Sequence, residues 1–388
     1  MMENSQLYIT TNPPYGAKFD SKTKKILNKK YINVPDYESA DYFIYKGMEM
    51  LKISGYISYI IPNTILSNVH AEKLRKDLVH TWQINFIDNL SEIDVFESAK
   101  VRTCILALKN CFNNNYKVKF SNPIINGGVY SVLNKKEIEK SSLVKNSNNW
   151  LNIFYKDEKT INLVSKLKEN SIQLGSISEI SQGLIPYDKY RGHSAETIKN
   201  RIWHSSCKKD ETFKKELQGK DIERYKLHWN GQTWISYGEW LAAPRKKEFF
   251  TYKRILVREI TNPRILATIV DEEYYNTPSI INIINIKNVE YKYILGLLNS
   301  KLMSYYHINT SPKANKGLFP KILVNDIRNL PIKLTDDNRM GEIVKLVENI
   351  LNKEIDDMKN IEKCIDDMVY TIYELSDIEI QEIENYFN

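Results

Sequence analysis

Asn12-Pro13-Pro14-Tyr15 follows directly on a short apolar run, Leu7-Tyr8-Ile9, and its four residue types converge on one chemistry. The two prolines fix φ and remove two backbone donors, so the turn is rigid and its carbonyls are left to accept. The Asn12 side chain adds one more acceptor, and the Tyr15 ring offers a flat stacking face. Two acceptors aimed at one point beside an aromatic plate suit the exocyclic amine of a base flipped out of DNA, which is how base-modifying enzymes must hold it. The motif contains no carboxylate or histidine. It would work by positioning rather than by acid–base catalysis.

Around this motif the chain is long enough, at 388 residues, to bury two cores. Its 42% hydrophobic and 27% charged content is that of an ordinary globular protein; 25 tyrosines, many beside Lys, Asn or Arg, are not ordinary. Net charge is +7, but residues 341–388 hold 13 acidic against 4 basic side chains, which leaves +16 on the rest. A basic body with an acidic tail favours a polyanionic partner, although a Lys-, Asn- and Ile-rich composition of this kind also arises from AT-rich coding. The four cysteines are scattered, with no Cys-x-x-Cys pair, which predicts a reduced, cytoplasmic, metal-free protein. No apolar run approaches a membrane span, and no signal-type segment opens the chain.

The elements that must position the motif alternate. Residues 7–11 predict a short buried strand, 17–36 a polar mobile loop over the site, and Asp41–Lys52 a helix that Gly55 stops. Tyr56–Ile61, a helix through about Leu78, and strands near Ile84–Ile87 and Thr103–Leu108 complete a βαβα pattern. That pattern predicts a mostly parallel sheet with helices on its faces. Gly127-Gly128 marks a hairpin turn, and the polar stretch Ser141–Asn149 a linker. From Trp150 the texture becomes α+β. Apolar residues from Val347 to Ile372 alternate spacings of three and four, as in a long helix or helical hairpin, and Ser376 with Glu379 forms a capping box. The expected domains are 1–140, 150–335 and a helical segment 336–388.

The Asn-Pro-Pro-Tyr loop resembles that of the N6-adenine DNA methyltransferases of type II and IIG restriction-modification systems. Gly55 to Asn63 is similar to that family's fifth strand and following loop, and Val95–Thr103 to a late loop and strand. In the second half, Leu174–Ile177 with Ile180–Gly183, Gly219–Tyr225, Pro244-Arg245, Lys253–Glu259, Leu297–Lys301 and Asn329–Ile332 resemble, in order, the landmarks of a TaqI-like specificity domain. The resemblance implies an α/β fold: a partial Rossmann-like methyltransferase sheet followed by an α+β DNA-recognition domain with a helical C-terminus. It implies catalysis by Asn12, Pro13, Pro14 and Tyr15, with Tyr15 and Phe96 stacking on opposite faces of the target adenine. It also implies S-adenosylmethionine as donor, with Phe43 and Asn12 in its site, and double-stranded DNA as partner.

Residues 244–264 hold seven basic side chains against two acidic ones. Arg245, Lys246, Lys247, Lys253, Arg254 and Arg258, with Lys316 in a later Gly-containing loop, are therefore expected to meet phosphates. The family's glycine-rich donor loop, Phe-x-Gly-x-Gly, does not occur in the sequence, and only eleven residues precede Asn12. Family sheets run in the order 3-2-1-4-5-7-6 in the family's own count, so the chain is expected to keep 4-5-7-6 and to need a complementing partner that carries the donor-binding half. The alternatives are a non-catalytic DNA-binding specificity subunit, a methyltransferase of RNA or protein amines, and an inactive remnant.

Overall fold

The computed structural model describes residues 6–31, 34, 38–96, 101–261, 263–311, 314, 320–352 and 358–387. The chain forms two compact units, Met1–Ile161 and Asn162–Asn388.

The first unit is built on strands β1 (Gln6–Thr11), β2 (Leu51–Pro62), β3 (Gln83–Asn89), β4 (Thr103–Lys109), β5 (Lys117–Asn126) and β6 (Val129–Glu139), with helices α1 (Ser21–Lys30), α2 (Ser39–Met50) and α3 (Glu72–Thr81) between them. The strand order is β1-β2-β4-β3-β5-β6. Its first four strands are the expected 4-5-7-6 run; the β5–β6 hairpin extends the sheet beyond β3. Gly127 and Gly128 close that hairpin with φ of 56° and 81°, the paired positive values of a type I′ turn. The sheet is mixed, not mostly parallel. β1–β2 and β3–β5 run parallel, but β4 runs antiparallel to both of its neighbours. Residues 90–102, which join β3 to β4, contain no crossover helix among their described residues, and strands joined without one pair antiparallel.

Period-two burial of Ile57, Tyr59 and Ile61 on β2 and of Cys104, Leu106 and Leu108 on β4 gives the sheet its core face. Helix α2 lies close on β2 at Gly47, where an added Cβ would stand 1.9 Å from the Tyr59 hydroxyl. Strand β2 starts at Leu51, so Gly55 sits inside it rather than stopping α2. A Cβ there would be 2.9 Å from the Leu7 carbonyl on β1. Three further expectations are corrected. Strand β1 is not buried: Leu7 is 49% and Tyr8 69% exposed at the sheet edge. Part of the expected loop 17–36 is α1, N-capped by the Asp20 carboxylate and with no buried residue. The stretch Ser141–Asn149 is no linker; Leu143, Trp150, Ile153 and Phe154 on either side of its turns complete the core of the first unit.

In the second unit, Glu179–Gln182, Arg254–Arg258, Ala267–Val270 and Ile280–Ile284 form an antiparallel sheet, with Arg254–Arg258 and Ile280–Ile284 at its centre. The sheet shares one core with helices Tyr291–Asn299 and Lys301–Thr310. The periodic segment is a helical hairpin, Asp337–Leu351 and Met358–Ile372. The Glu379 carboxylate accepts from the Ser376 backbone N–H at 2.7 Å, which opens the last helix, Asp377–Phe387. No helix among the described residues is long and apolar enough to cross a membrane.

Candidate functional site

The register of β1 on β2 places Thr11 opposite Tyr59, so the Asn12 loop leaves the sheet beside Ile60–Pro62. Both strands end there at their carboxyl ends, where α/β sheets open their crevices. Pro13 is buried, while Asn12 and Pro14 are exposed. Ser39, the first residue of α2, ties the loop down: its hydroxyl donates to the Pro14 carbonyl at 2.5 Å and accepts from the Ala17 N–H at 3.0 Å. Two acceptors lie within reach of the Tyr15 hydroxyl, Asn12 Oδ1 at 2.6 Å and the Ile60 carbonyl at 2.8 Å. Burial, with lesser contributions from Cys104 and Glu38, pushes the Tyr15 phenol up to about 12.

Phe96 faces the same spot. Its ring meets Tyr15 edge-on, with centroids 6.1 Å apart and planes 65° apart. Residues 97–100, which follow it in the resembling loop, lie outside the described residues. Phe43 projects from α2 with 40% exposure, while its neighbours Ala40, Tyr42 and Ile44 are buried. Its ring is therefore available for stacking and is not a core residue. Asp41 escaped sequence reasoning. With Glu38, Ile61, Pro62 and Thr64 it lines a cavity of about 10 Å³. Burial and the nearby Glu38 raise its carboxyl to about 7 against the opposing pull of Arg75. An acidic residue on an otherwise apolar helix face was the signal that could have found it.

The expected phosphate-contacting residues divide in the second unit. Lys246 and Lys247 are exposed before the short helix Glu248–Thr251, and Lys253 is exposed after it. Arg258 is half-buried, as is Arg245, which takes a left-handed φ of 64° and donates to the Gly183 carbonyl at 3.4 Å. Arg254 is a correction. It is fully buried, and its guanidinium donates to the carbonyls of Tyr252, Glu272 and Tyr274 at 2.8, 3.0 and 2.9 Å. It closes a loop and cannot reach a phosphate. Arg264 likewise turns inward, donating to the Asn299 carbonyl and lying 3.7 Å from Asp366. Lys316 lies outside the described residues.

Two aromatic features of this unit were not singled out in the sequence. Tyr190 is 91% exposed between Lys189 and Arg191, and Trp203 and Trp240 wall an open cleft of about 440 Å³ rimmed by Lys209, Asp210 and Ser236. The clustering of tyrosines with basic residues pointed towards the first.

The Asn12 loop thus stands at the carboxyl ends of β1 and β2 in the first unit, and an α+β unit follows it in the chain; each unit contains a stretch that matches a known family. Residues 8–96 match the Eco57I restriction-modification methylase family, and residues 214–332 match the TaqI-like C-terminal specificity domain. Among curated proteins, the chain is 25% identical over 394 aligned residues to RM.MjaORFECS2P of Methanocaldococcus jannaschii, proposed to be a type II restriction enzyme and methyltransferase. That alignment covers 94% of this chain and 31% of the relative. The chain is also 29% identical over 190 residues to the type II restriction enzyme and methyltransferase RM.Eco57I of Escherichia coli, covering 45% of this chain and 18% of the relative. It thus spans a third or less of the length of the relatives it matches. The type IIL restriction-modification enzyme MmeI, solved in complex with DNA, shares the fold over 98% of this chain and 56% of that one, with a TM-score of 0.56 at 12% identity.

Proposed function

We propose that this chain is the target-base and DNA-recognition portion of an adenine-N6 DNA methyltransferase of a restriction-modification system, acting on double-stranded DNA in the cytoplasm. One observation carries the reading. Asn12 Oδ1 is held as an acceptor at the carboxyl end of β1, beside the rings of Tyr15 and Phe96. A flipped adenine would donate its two amine hydrogens to Asn12 Oδ1 and the Pro13 carbonyl. Those bonds draw the nitrogen lone pair out of conjugation and aim it at the methyl group. After transfer the surplus amine proton leaves to solvent. Tyr15 and Phe96 would hold the base by stacking, each contributing about 1–3 kcal/mol, against an extrusion cost of a few kcal/mol.

S-adenosylmethionine supplies the electrophilic methyl group when bound. The fit of this chain to it is partial: the exposed Phe43 ring offers a stacking face and Asn12 a polar edge, but no residue here matches the family's glycine-rich loop. The rest of the donor site would come from a complementing polypeptide segment. The edge of β1 supports that reading, since Leu7 and Tyr8, at 49% and 69% exposure, lie on the outermost strand of the sheet among the described residues.

The test is transfer of a labelled methyl group from S-adenosylmethionine to unmethylated DNA, by this chain alone and with a polypeptide carrying the family's donor-binding half. Transfer to adenine that is lost in Asn12→Ala, with an unchanged melting curve, is the expected result; activity retained in Asn12→Ala would overturn it. A non-catalytic DNA-binding specificity subunit is the second reading. It is favoured by the edge-on rings of Tyr15 and Phe96, which leave no gap for a base. DNA binding without transfer under either condition is its expected outcome.

A further inference from the structure

The Tyr15 hydroxyl has a single proton and two acceptors, Asn12 Oδ1 at 2.6 Å and the Ile60 carbonyl at 2.8 Å. One O–H can make one full hydrogen bond, so one of these acceptors is surplus at any moment. Asn12 Oδ1 is also the atom that the incoming amine must use in the function proposed above, and the inference rests on that reading. Two rings that sandwich a base must stand about 7 Å apart, twice a contact distance of about 3.5 Å. Tyr15 and Phe96 stand 6.1 Å apart and tilted by 65°. The slot is closed, and its key acceptor is covered by a side chain from the same loop.

We propose that the Tyr15 hydroxyl is a placeholder for the amine of the target base: it donates to Asn12 Oδ1 while the slot is empty and passes to the Ile60 carbonyl when the amine arrives. The exchange leaves neither partner unsatisfied. Asn12 is exposed while the slot is empty, so water can serve its oxygen. Once a bound base excludes that water, an oxygen without a donor would lack a partner, and such a group is costly to leave unmade. The hydroxyl prevents this and keeps the oxygen aimed into the slot. When the amine takes over, the hydroxyl turns its hydrogen bond to the second acceptor, the Ile60 carbonyl already 2.8 Å away. An ordinary phenol already keeps its proton throughout the neutral range, and burial, which pushes Tyr15 up to about 12, only widens that margin. Tyr15 is thereby a positioning residue through its hydroxyl as well as a stacking residue through its ring.

The two roles separate in Tyr15→Phe, which keeps the ring and removes the placeholder. The probes are deoxyadenosine and purine deoxyriboside, the same heterocycle without the amine. Both are titrated against the full chain by saturation-transfer NMR, so no recognition sequence is needed. In the wild-type chain the hydroxyl still covers Asn12 when the amine-free base binds, so the two nucleosides should bind within a few-fold of each other. In Tyr15→Phe the amine-free base leaves Asn12 unpaired, and the preference for deoxyadenosine should widen by about fivefold or more. Asn12→Ala should abolish the preference in both backgrounds, and melting curves of all variants establish that they fold.

A preference in Tyr15→Phe equal to that of the wild type, or an equal weakening of both nucleosides, would overturn the placeholder and leave the hydroxyl as a ring anchor. Failure of both nucleosides to bind any folded variant would overturn the base pocket itself, and the placeholder with it.

Discussion

Arg254, Lys246 and Lys247 carry the same charge within eight positions of one another, and the sequence offers no way to tell them apart. The fold separates them by burial. Removing the guanidinium in Arg254→Met would leave the carbonyls of Tyr252, Glu272 and Tyr274 without their donor inside the protein. The expected loss of stability is on the order of 3 kcal/mol, read as a lower urea midpoint, because a buried acceptor stripped of its donor keeps its desolvation cost. The double variant Lys246→Ala, Lys247→Ala should unfold as the wild type does. Its DNA affinity should fall, and the slope of log affinity against log salt should flatten by about two, one unit for each phosphate that a lysine no longer neutralises. A flattened slope in Arg254→Met with unchanged stability would reverse both assignments. Phe43 shows the same limit of one-dimensional reading, since helical spacing fits a core residue and a stacking face equally well. The Asn12–Tyr15 loop was legible because its chemistry is local: two prolines, an amide and a ring within four residues need no tertiary context to suggest what they would hold.

Element order was legible for a related reason, and element direction was not. Hydrophobic period located β2, β3 and β4 to within a few residues, and the family order gave β1-β2-β4-β3. Whether β4 runs parallel depends on the path of the connection before it, which periodicity does not encode. Helix α1 was missed because it buries nothing and so has no apolar stripe. A close helix-to-sheet approach in the first unit was equally invisible: Gly47 reads as a weak point of α2 and is in fact a packing requirement. A Cβ there would stand 1.9 Å from the Tyr59 hydroxyl and 2.5 Å from Ile57 Cδ1. The Tyr59 hydroxyl is itself tied to α2, donating to the Phe43 carbonyl at 3.1 Å, so moving it away costs that hydrogen bond. Gly47→Ala is therefore expected to cost about 1–3 kcal/mol despite the higher helix propensity of alanine. Thermal melting reads the loss. An unchanged or raised melting temperature would mean that α2 shifts without penalty and that its position over β2 is loosely set.

For the whole molecule, the charge segregation in the sequence suggested a basic body open to a polyanion, and the fold shows where much of that charge goes. The acidic C-terminal segment pairs with basic residues of its own unit: Glu362 with Arg224 at 2.8 Å, Glu379 with Lys166 at 2.7 Å, Glu374 with Lys333 at 2.7 Å and Glu348 with Lys292 at 2.6 Å. The basic surface left unpaired is smaller than the +16 of residues 1–340 implies. Met358–Ile372 and Asp377–Phe387 also pack on Lys301–Thr310, a helix buried over Leu302–Asn309 that carries His307. Burial lowers the His307 imidazole to about 4, and a backbone contact at Lys321 offsets only part of that. The unfolded chain binds the His307 proton below about pH 6.5 and the native state only below about 4, so stability contributed by the neutral ring is lost as pH falls through that window. Asp366 works the opposite way: burial raises its carboxyl to about 6, so the native state holds a proton there that the unfolded chain releases, and acid favours the fold through this group. A pH profile of the wild type alone mixes the two. The difference between wild type and His307→Leu isolates the histidine and should shift by about 3 kcal/mol, against the wild type, between pH 6.5 and 4. Urea unfolding followed by tryptophan fluorescence measures it, since four of the six tryptophans belong to the second unit. A difference that does not change with pH would mean that the native state protonates His307 freely and that the helix around it opens to water.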